Sequence, residues 1–230
     1  MIARSDGSLL FDTKLDTSGL STGLSGIGGV AKIALAGVAG LTAAGIAGFS
    51  ALTKASVEGV ASLEQNIGGV ETLFGEAADI VLANAEKAYQ TAGLSANDYM
   101  STVTSFAASL RQSCETEAEA AEVANMAVTD MSDNANKMGT SMEAIQNAYQ
   151  GFAKQNYTML DNLKLGYGGT KTEMERLLAD AEKISGVKYD INNLNDVYQA
   201  IHVIQGELGI TGTTAKEAST TIEGSMNSAK

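Results

Sequence analysis

The chain has 230 residues, a hydrophobic content of 44% and a formal net charge of −12, and it contains neither proline nor tryptophan. This hydrophobic content excludes a wholly disordered protein, and the scattered basic residues of so acidic a chain argue against specific nucleic-acid binding. The composition favours long helices over sheets, because it is rich in small residues and free of proline, which costs about 3 kcal/mol within a helix.

Residues 1–30 are predicted to form a flexible leader. A short strand-like alternation over residues 8–16 precedes a stretch rich in glycine and serine over residues 19–29. Three aspartates and the lack of a long apolar core do not fit a secretory signal. The single cysteine, Cys114, cannot close an internal disulfide, which fits synthesis in a reducing cytoplasm.

Residues 31–92 are predicted to form a long helical segment rich in alanine and glycine. Within it, residues 33–53 are uncharged between Lys32 and Lys54, and about 20 such residues are long enough to cross a membrane. Small residues recur at every fourth position and leave one helix face almost without side chains, suited to close helix packing: Ala36, Gly40, Ala44 and Gly48. Two interpretations stay open, a buried helix of a soluble assembly and a segment that enters a membrane.

Glycines and capping residues divide the following part of the chain into helices. A break is expected near Gly68, Gly93 is a stop signal, and Ser95 with Asp98 has the pattern of a helix start. The apolar residues of the helix that begins there have the spacing of one buried stripe: Tyr99, Val103, Phe106 and Leu110. A further helix is predicted from residue 115 to about residue 131, with an inward face made of Ala121, Ala124, Val128 and Met131.

Two later helices are predicted to start at capping boxes, from Thr140 to Glu143 and from Thr172 to Glu175. Their stripes are Met142, Ile145, Tyr149 and Phe152 in the first, and Met174, Leu177, Leu178, Ala181 and Ile184 in the second.

A last helix, through Val197, Ile201 and Ile204, is predicted to be capped by Asn193 or Asn195 and to end within residues 206–209. Residues 211–230 are small and polar, and we interpret them as a linker that continues in a longer chain. The predicted fold is all-α. An extended Ala/Gly-rich helix precedes a compact multi-helix domain over residues 93–210, with little or no sheet.

The sequence lacks the residue groups of an enzyme active site. Its one histidine, His202, has no nucleophile motif to serve, and nearby glutamates disfavour the thiolate of Cys114. Four carboxylates are spread around a helix and are expected to face solvent rather than bind a metal: Glu115, Glu117, Glu119 and Glu122. We therefore expect no catalytic residue, cofactor or metal.

Two loops match ligand-binding motifs only in part. Residues 166–172 lack the adjacent Gly-Lys of a phosphate-binding loop. Residues 190–195 have Leu194 where a calcium loop needs a ligand and Asn195 where it needs glycine. Four methionines are expected to fill helix cores rather than to form a binding surface: Met126, Met131, Met138 and Met142.

One long run of the chain has a recognisable sequence. It comprises AIQNAYQGFAKQNYTMLDNLKLGYGGTK over residues 144–171 and MERLL over residues 174–178, preceded upstream by EQNIGGVETLF over residues 64–74. These segments resemble the core and the earlier part of the tail tape-measure proteins of tailed bacteriophages and prophages. The resemblance covers residues 55–225, and the run NYTMLDNL over residues 156–163 is its most specific part.

The resemblance implies a helical structural protein, not an enzyme, that sets tail length. Several copies would lie in the lumen of the tail tube of the virion, after synthesis in the cytoplasm of the bacterial host. The implied partners are other copies of the chain, the tail tube protein, tail assembly chaperones and tail-tip or baseplate proteins. Because a helix rises about 1.5 Å per residue, its length is a direct ruler for the tube.

The resemblance also implies a role in genome ejection across the host inner membrane, for which residues 33–53 would be suited. Family members are usually much longer, so this chain is expected to be a fragment. The alternative interpretation is a pore-forming, membrane-active helical protein.

Overall fold

The computed structural model of the protein describes the backbone of residues 49–228 and the side chains of residues 61–220. Contacts divide the chain into two units, Met1–Val60 and Ala61–Lys230. The helices are α1 (Phe49–Phe74), α2 (Ala78–Thr91), α3 (Ala96–Arg111), α4 (Glu117–Met138), α5 (Met142–Phe152), α6 (Lys171–Ser185), α7 (Leu194–Glu207) and α8 (Thr213–Ser228). Short 3-10 turns lie at Gly75–Ala77 and Leu160–Leu163, and residues 49–228 contain no strand. The prediction of an all-α fold is confirmed.

The second unit begins earlier than the predicted domain. We expected residues 31–92 to be separate from a domain over residues 93–210, but α2 packs against α3, α4 and α8. The reason is the apolar stripe of α2, in which Val81, Ala85 and Ala88 are buried in the common core.

Helix α4 lies at the centre of this unit. It packs against α2, α3, α5, α7 and α8. Small side chains allow neighbouring helices to approach it closely, and Ala120, Ala121, Ala124 and Ala127 are all fully buried. The predicted inward face of this helix is confirmed, since Val128 and Met131 are also buried. The helix extends about two turns beyond the predicted end near residue 131, as far as Gly139 in the left-handed conformation.

Side-chain caps start five consecutive helices of the second unit, α3 to α7. Ser95 accepts a hydrogen bond from the backbone N–H of Asp98, as predicted, and Asn193 is the cap of α7. The two predicted capping boxes are wrong in register. Ser141 rather than Thr140 caps α5, and Thr170 rather than Thr172 caps α6.

The predicted apolar stripes form most of the core. Those of α3, α5 and α7 are buried, apart from the partly buried Met142 at the start of α5. In α6 the stripe is buried through Ala181, but Ile184 is 48% exposed, contrary to expectation. The predicted break near Gly68 is also wrong, because α1 continues through it and ends at Phe74, before Gly75 with φ +52°.

The C-terminal stretch is a helix and not the linker we predicted for residues 211–230. Helix α8 packs against α2 and α4. Its first turn is held by Asp133 of α4, whose carboxylate accepts hydrogen bonds from the N–H groups of Gly212 and Thr214 at 2.6 and 2.8 Å. Because the partner of this turn is far away in the sequence, the local pattern carries no sign of it.

Candidate functional site

The most specific part of the resemblance lies in a long connection between α5 and α6. The connection comprises residues 153–170, here called the 153–170 loop, and its only regular element is the 3-10 turn Leu160–Leu163. Loops longer than about 12–15 residues are uncommon in compact domains and often carry function. The length of this loop therefore makes it the candidate functional site.

The loop has an apolar interior of its own. Four side chains point into the core and are at most 7% exposed: Tyr157, Leu160, Leu163 and Leu165. The ring of Tyr157 stacks on Phe152 at a centroid distance of 6.1 Å, and its hydroxyl donates to the carbonyl of Ile191 at 2.9 Å. A loop that is anchored by buried side chains has one defined conformation.

Two residues of the loop adopt the left-handed conformation although they are not glycine. Gln155 has φ 55° and Lys164 has φ 53°. Non-glycine residues adopt this conformation only where the surroundings enforce it, and such residues cluster at functional sites. Between them, the side-chain oxygen of Asn156 accepts hydrogen bonds from the backbone N–H and the hydroxyl of Thr158, at 3.1 and 2.8 Å.

Helix α4, helix α5 and the turn between them hold the middle of the loop by hydrogen bonds. The buried amide of Asn134 donates to the carbonyl of Leu163 at 2.9 Å. Asn162 is fixed twice, because its carbonyl accepts from the hydroxyl of Thr140 at 3.1 Å and its amide donates to the carbonyl of Ala144 at 3.3 Å. Thr140, which we predicted to be a helix cap, thus holds the loop instead.

The first two turns of α6 hold the end of the loop. The guanidinium of Arg176 lies 4.3 Å from the ring centroid of Tyr167 and donates to the carbonyl of Gly166 at 2.8 Å. It also pairs with Glu173 at 2.6 Å, and Glu173 accepts from the N–H of Gly168 at 3.1 Å. The hydrogen bond from Arg176 lowers the pKa of Glu173. The stretch of residues 166–172 is therefore a glycine-rich turn that leads into α6, as its sequence indicated.

The outer face of the loop is polar and exposed. It presents lysine, amide, hydroxyl and carboxylate groups together with Met159, which is 42% exposed. The exposed residues as far as position 164 are Lys154, Gln155, Asn156, Thr158, Met159, Asp161 and Lys164. An arrangement of this kind on a rigid backbone is suited to recognising another surface, because little ordering remains to be done on binding.

The only histidine has a partner that the sequence did not reveal. The Nδ1 atom of His202 on α7 lies 2.9 Å from both carboxylate oxygens of Asp130, which is 1% exposed on α4. The two residues are 72 positions apart, so no local pattern links them. The hydrogen bond to Asp130 raises the pKa of His202, and burial raises the pKa of the Asp130 carboxyl.

We expect this pair to make the protein less stable as the pH rises from about 6 to 9. Since the pKa of His202 is raised in the folded state, its stabilisation is complete below 6.5 and is lost as the pH passes through the folded-state value. The raised pKa of Asp130 acts with the same sign at lower pH. The loss should be at most about 1 kcal/mol, because His202 is half-exposed and its pairing is screened by solvent.

The measurement is chemical denaturation at several pH values in this range. His202→Gln is the matched control, because its amide can still donate to Asp130 but does not titrate. Its free energy of unfolding should change less between pH 6 and 9 than that of the wild type. Equal pH dependence in both proteins would contradict the assignment.

The other candidate residues of the sequence are buried or take part in ion pairs and hydrogen bonds within the protein. Burial, followed by the charge of Glu119, raises the pKa of the Cys114 thiol to about 12, in the direction we predicted. Glu117 pairs with Arg111, and Glu119 accepts from the backbone N–H of Glu115 and the amide of Asn195. Among the described residues no group of three ligating side chains could hold a metal ion. Met131 is buried and the three other methionines of the set pack against the core, as predicted.

The proposed helix-packing positions cannot be placed in this fold. Ala36, Gly40, Ala44 and Gly48 lie outside the described residues, as does most of the segment of residues 33–53. In the part of the chain that is described, no helix has the length and apolar character of a membrane span.

The described unit is thus an all-α domain whose distinctive feature is a long, rigid surface loop. No protein-family profile, curated protein sequence or solved structure matches the chain. Its function therefore has to be argued from the residues themselves.

Proposed function

We propose that this chain forms the N-terminal part of a tail tape-measure protein of a tailed bacteriophage or prophage. In this role several copies lie in the lumen of the tail tube, and the extended helical length of the parent protein sets the length of the tail. The tail tube protein, tail assembly chaperones and tail-tip or baseplate proteins are its partners. Support comes from the resemblance of residues 55–225 and from the helical fold of the described part of this range.

The observation that carries the proposal is the fold of the most specific segment, residues 156–163. The buried side chains of Tyr157, Leu160 and Leu163 are interspersed there with Asn156, which fixes a turn, and Asn162, which bonds to α5. A segment with so many structural requirements tolerates few substitutions, unlike an ordinary surface loop. It therefore has the properties of a sequence signature, which supports the use of this run to assign a family.

Three polar side chains of the domain are used in hydrogen bonds to its own backbone, which supports a structural role over an enzymatic one. Asp133 holds the start of α8, Asn134 holds the 153–170 loop, and Arg176 holds the glycine-rich turn before α6. Each of these side chains stabilises backbone conformation. A general acid or base would instead have to stand within reach of a substrate.

The ruler role predicts a proportional change in tail length. In-frame deletion of about 36 residues from a stretch of the parent protein that is predicted to be helical, downstream of this chain, should shorten the tail by about 54 Å, because each helical residue contributes about 1.5 Å. Tail lengths are measured by electron microscopy of purified virions. Leaving residues 61–228 intact separates loss of length from loss of the folded unit.

The matched control replaces the deleted residues by an unrelated helical sequence of equal length, and its tails should have the wild-type length. Unchanged tails after the deletion would remove the ruler proposal. If, in addition, the purified chain released dye from lipid vesicles, the membrane-active alternative would be favoured.

A further inference from the structure

Two fully buried amide side chains each have an oxygen that accepts no hydrogen bond from any described residue. They are Asn134 on α4, with its Oδ1 atom, and Gln205 on α7, with its Oε1 atom, and both residues are 0% exposed. Their amide nitrogens do have partners, since Asn134 donates to the carbonyl of Leu163 and Gln205 donates to the hydroxyl of Tyr149 at 3.3 Å. Buried acceptors without a donor are rare and costly, so a donor for each oxygen is expected.

Helices α4 and α7 run parallel to each other, with their residues in matching order. In the first turn of both helices, the amide of Asn195 donates to the carboxylate of Glu119 at 2.9 Å. Two to three turns further along both helices, Nδ1 of His202 lies 2.9 Å from the carboxylate of Asp130. The side chains that follow these two residues by one turn therefore face each other as well.

The next layer of this interface contains both unpaired oxygens. Asn134 follows Asp130 by four residues and Gln205 follows His202 by three, so both lie one turn further on the faces that meet. Tyr149 of α5 closes the layer from a third side, because its buried hydroxyl accepts the amide N–H of Gln205. Within the described part of the chain, this hydroxyl donates its own proton to no acceptor. The layer thus has two acceptor oxygens and one O–H donor without partners.

We propose that one buried water molecule occupies this layer and joins α4, α5 and α7. It donates its two hydrogens to Oδ1 of Asn134 and Oε1 of Gln205, and its oxygen accepts the O–H of Tyr149. Buried waters typically make about three hydrogen bonds, to polar groups that otherwise lack partners. A metal cation fits the layer less well, because it has no lone pair to accept the O–H of Tyr149.

The water has a consequence for the 153–170 loop. The amide nitrogen of Asn134 holds the carbonyl of Leu163 in that loop, and the water fixes the oxygen of the same amide group. The loop is therefore tied through Asn134 to α7 as well as to α4.

Oxygen-17 relaxation dispersion tests the proposal with the full chain, because it counts water molecules that stay inside a protein while it tumbles. Gln205→Met keeps the size of the side chain and removes its acceptor oxygen. The signal of long-lived water should fall by the equivalent of about one molecule. Gln90→Met, at an exposed position on α2, is the matched control and should leave the signal unchanged. An equal signal in Gln205→Met and the wild type would overturn the proposal.

The melting temperature of the same variant gives an independent outcome. If Oε1 of Gln205 had no partner at all, methionine would remove an unsatisfied buried group and raise the melting temperature. With the water in place, methionine instead removes hydrogen bonds, so the melting temperature should fall by about 2 to 6 °C. A rise would overturn the proposal.

A high-resolution crystal structure of the wild type locates the water and needs no variant, so it decides even if Gln205→Met fails to fold. Density for one water should lie within about 3.2 Å of Oδ1 of Asn134, Oε1 of Gln205 and the hydroxyl of Tyr149. A direct hydrogen bond between the amides of Asn134 and Gln205, with no water between them, would overturn the proposal.

Discussion

Asp133→Ala is expected to lower the free energy of unfolding by about 3 kcal/mol and to detach the start of α8. The carboxylate is fully buried and accepts from the N–H groups of Gly212 and Thr214. Alanine would leave both donors without partners at a helix N-terminus, where free N–H groups are concentrated. Donors that point at a buried site and lose their charged acceptor cost more than a lost hydrogen bond at the surface.

This contact is unusual because the cap comes from another helix. In α3, α5 and α6 the residue directly before the helix accepts the first hydrogen bond. At α8 the neighbouring Thr213 instead donates to the carbonyls of Ile210 and Asp133. None of residues 213–220 is fully buried, so Asp133 contributes a large share of what holds this part of α8.

Chemical denaturation measures the stability change, and hydrogen exchange measures the protection of residues 213–228. Asp133→Asn should have an intermediate effect, since it keeps one acceptor oxygen. Asp79→Asn, at an exposed position in the first turn of α2, removes the same charge and should cost only a few tenths of a kcal/mol. Full protection of α8 in Asp133→Ala would show that the helix is held by other contacts.

The helices could be predicted where one stripe of apolar residues and one local cap define them. Tyr99 to Leu110 in α3 is the clearest case, and Ser95 is its cap as expected. The cap of α6 was misplaced, because Thr170 and Thr172 are both suitable residues. The choice between them depends on the turn through Gly168 and Gly169, which is fixed by a hydrogen bond to Glu173 and by close packing against Thr158.

The second half of α4 could not be predicted in this way. Ser132, Asp133 and Asn134 are consecutive polar residues, so a search for apolar periodicity ends the helix before them. In the structure all three are buried and bond to distant elements, through the carbonyl of Ala92 at 2.5 Å, the N–H of Gly212 at 2.6 Å and the carbonyl of Leu163 at 2.9 Å. Their partners are 29 to 79 residues away, which explains why both this helix end and α8 were missed.

The glycines of α1 did not predict correctly where this helix ends. Glycine costs a helix only about 1 kcal/mol relative to alanine, and the burial of Val70 and Phe74 just after Gly68 and Gly69 offsets that cost. The helix ends at Phe74, where Gly75 takes a positive φ. In the 153–170 loop, the sequence indicated the run that carries the resemblance. It did not indicate which of its side chains are buried.

A comparison of two adjacent glycines tests whether that loop is as rigid as its contacts indicate. Gly169→Ala is expected to destabilise the protein by about 3 kcal/mol, because a Cβ atom there would lie 2.2 Å from the carbonyl oxygen of Thr158. The obstacle is backbone, which cannot move aside as a side chain can. Gly168→Ala is the matched control, because its Cβ would meet only the Cγ of Glu173 at an ordinary 3.5 Å.

The melting temperature of Gly169→Ala should fall by about 6 to 10 °C, and that of Gly168→Ala by no more than about 2 °C. Near-ultraviolet circular dichroism adds a local readout, since Tyr157 and Tyr167 lie in the loop and the chain has no tryptophan. If Gly169→Ala had the same melting temperature as Gly168→Ala, the backbone segments at Thr158 and Gly169 would have to move apart at little cost. The loop would then be movable, and its sequence would lose the packing role on which the proposed family assignment depends.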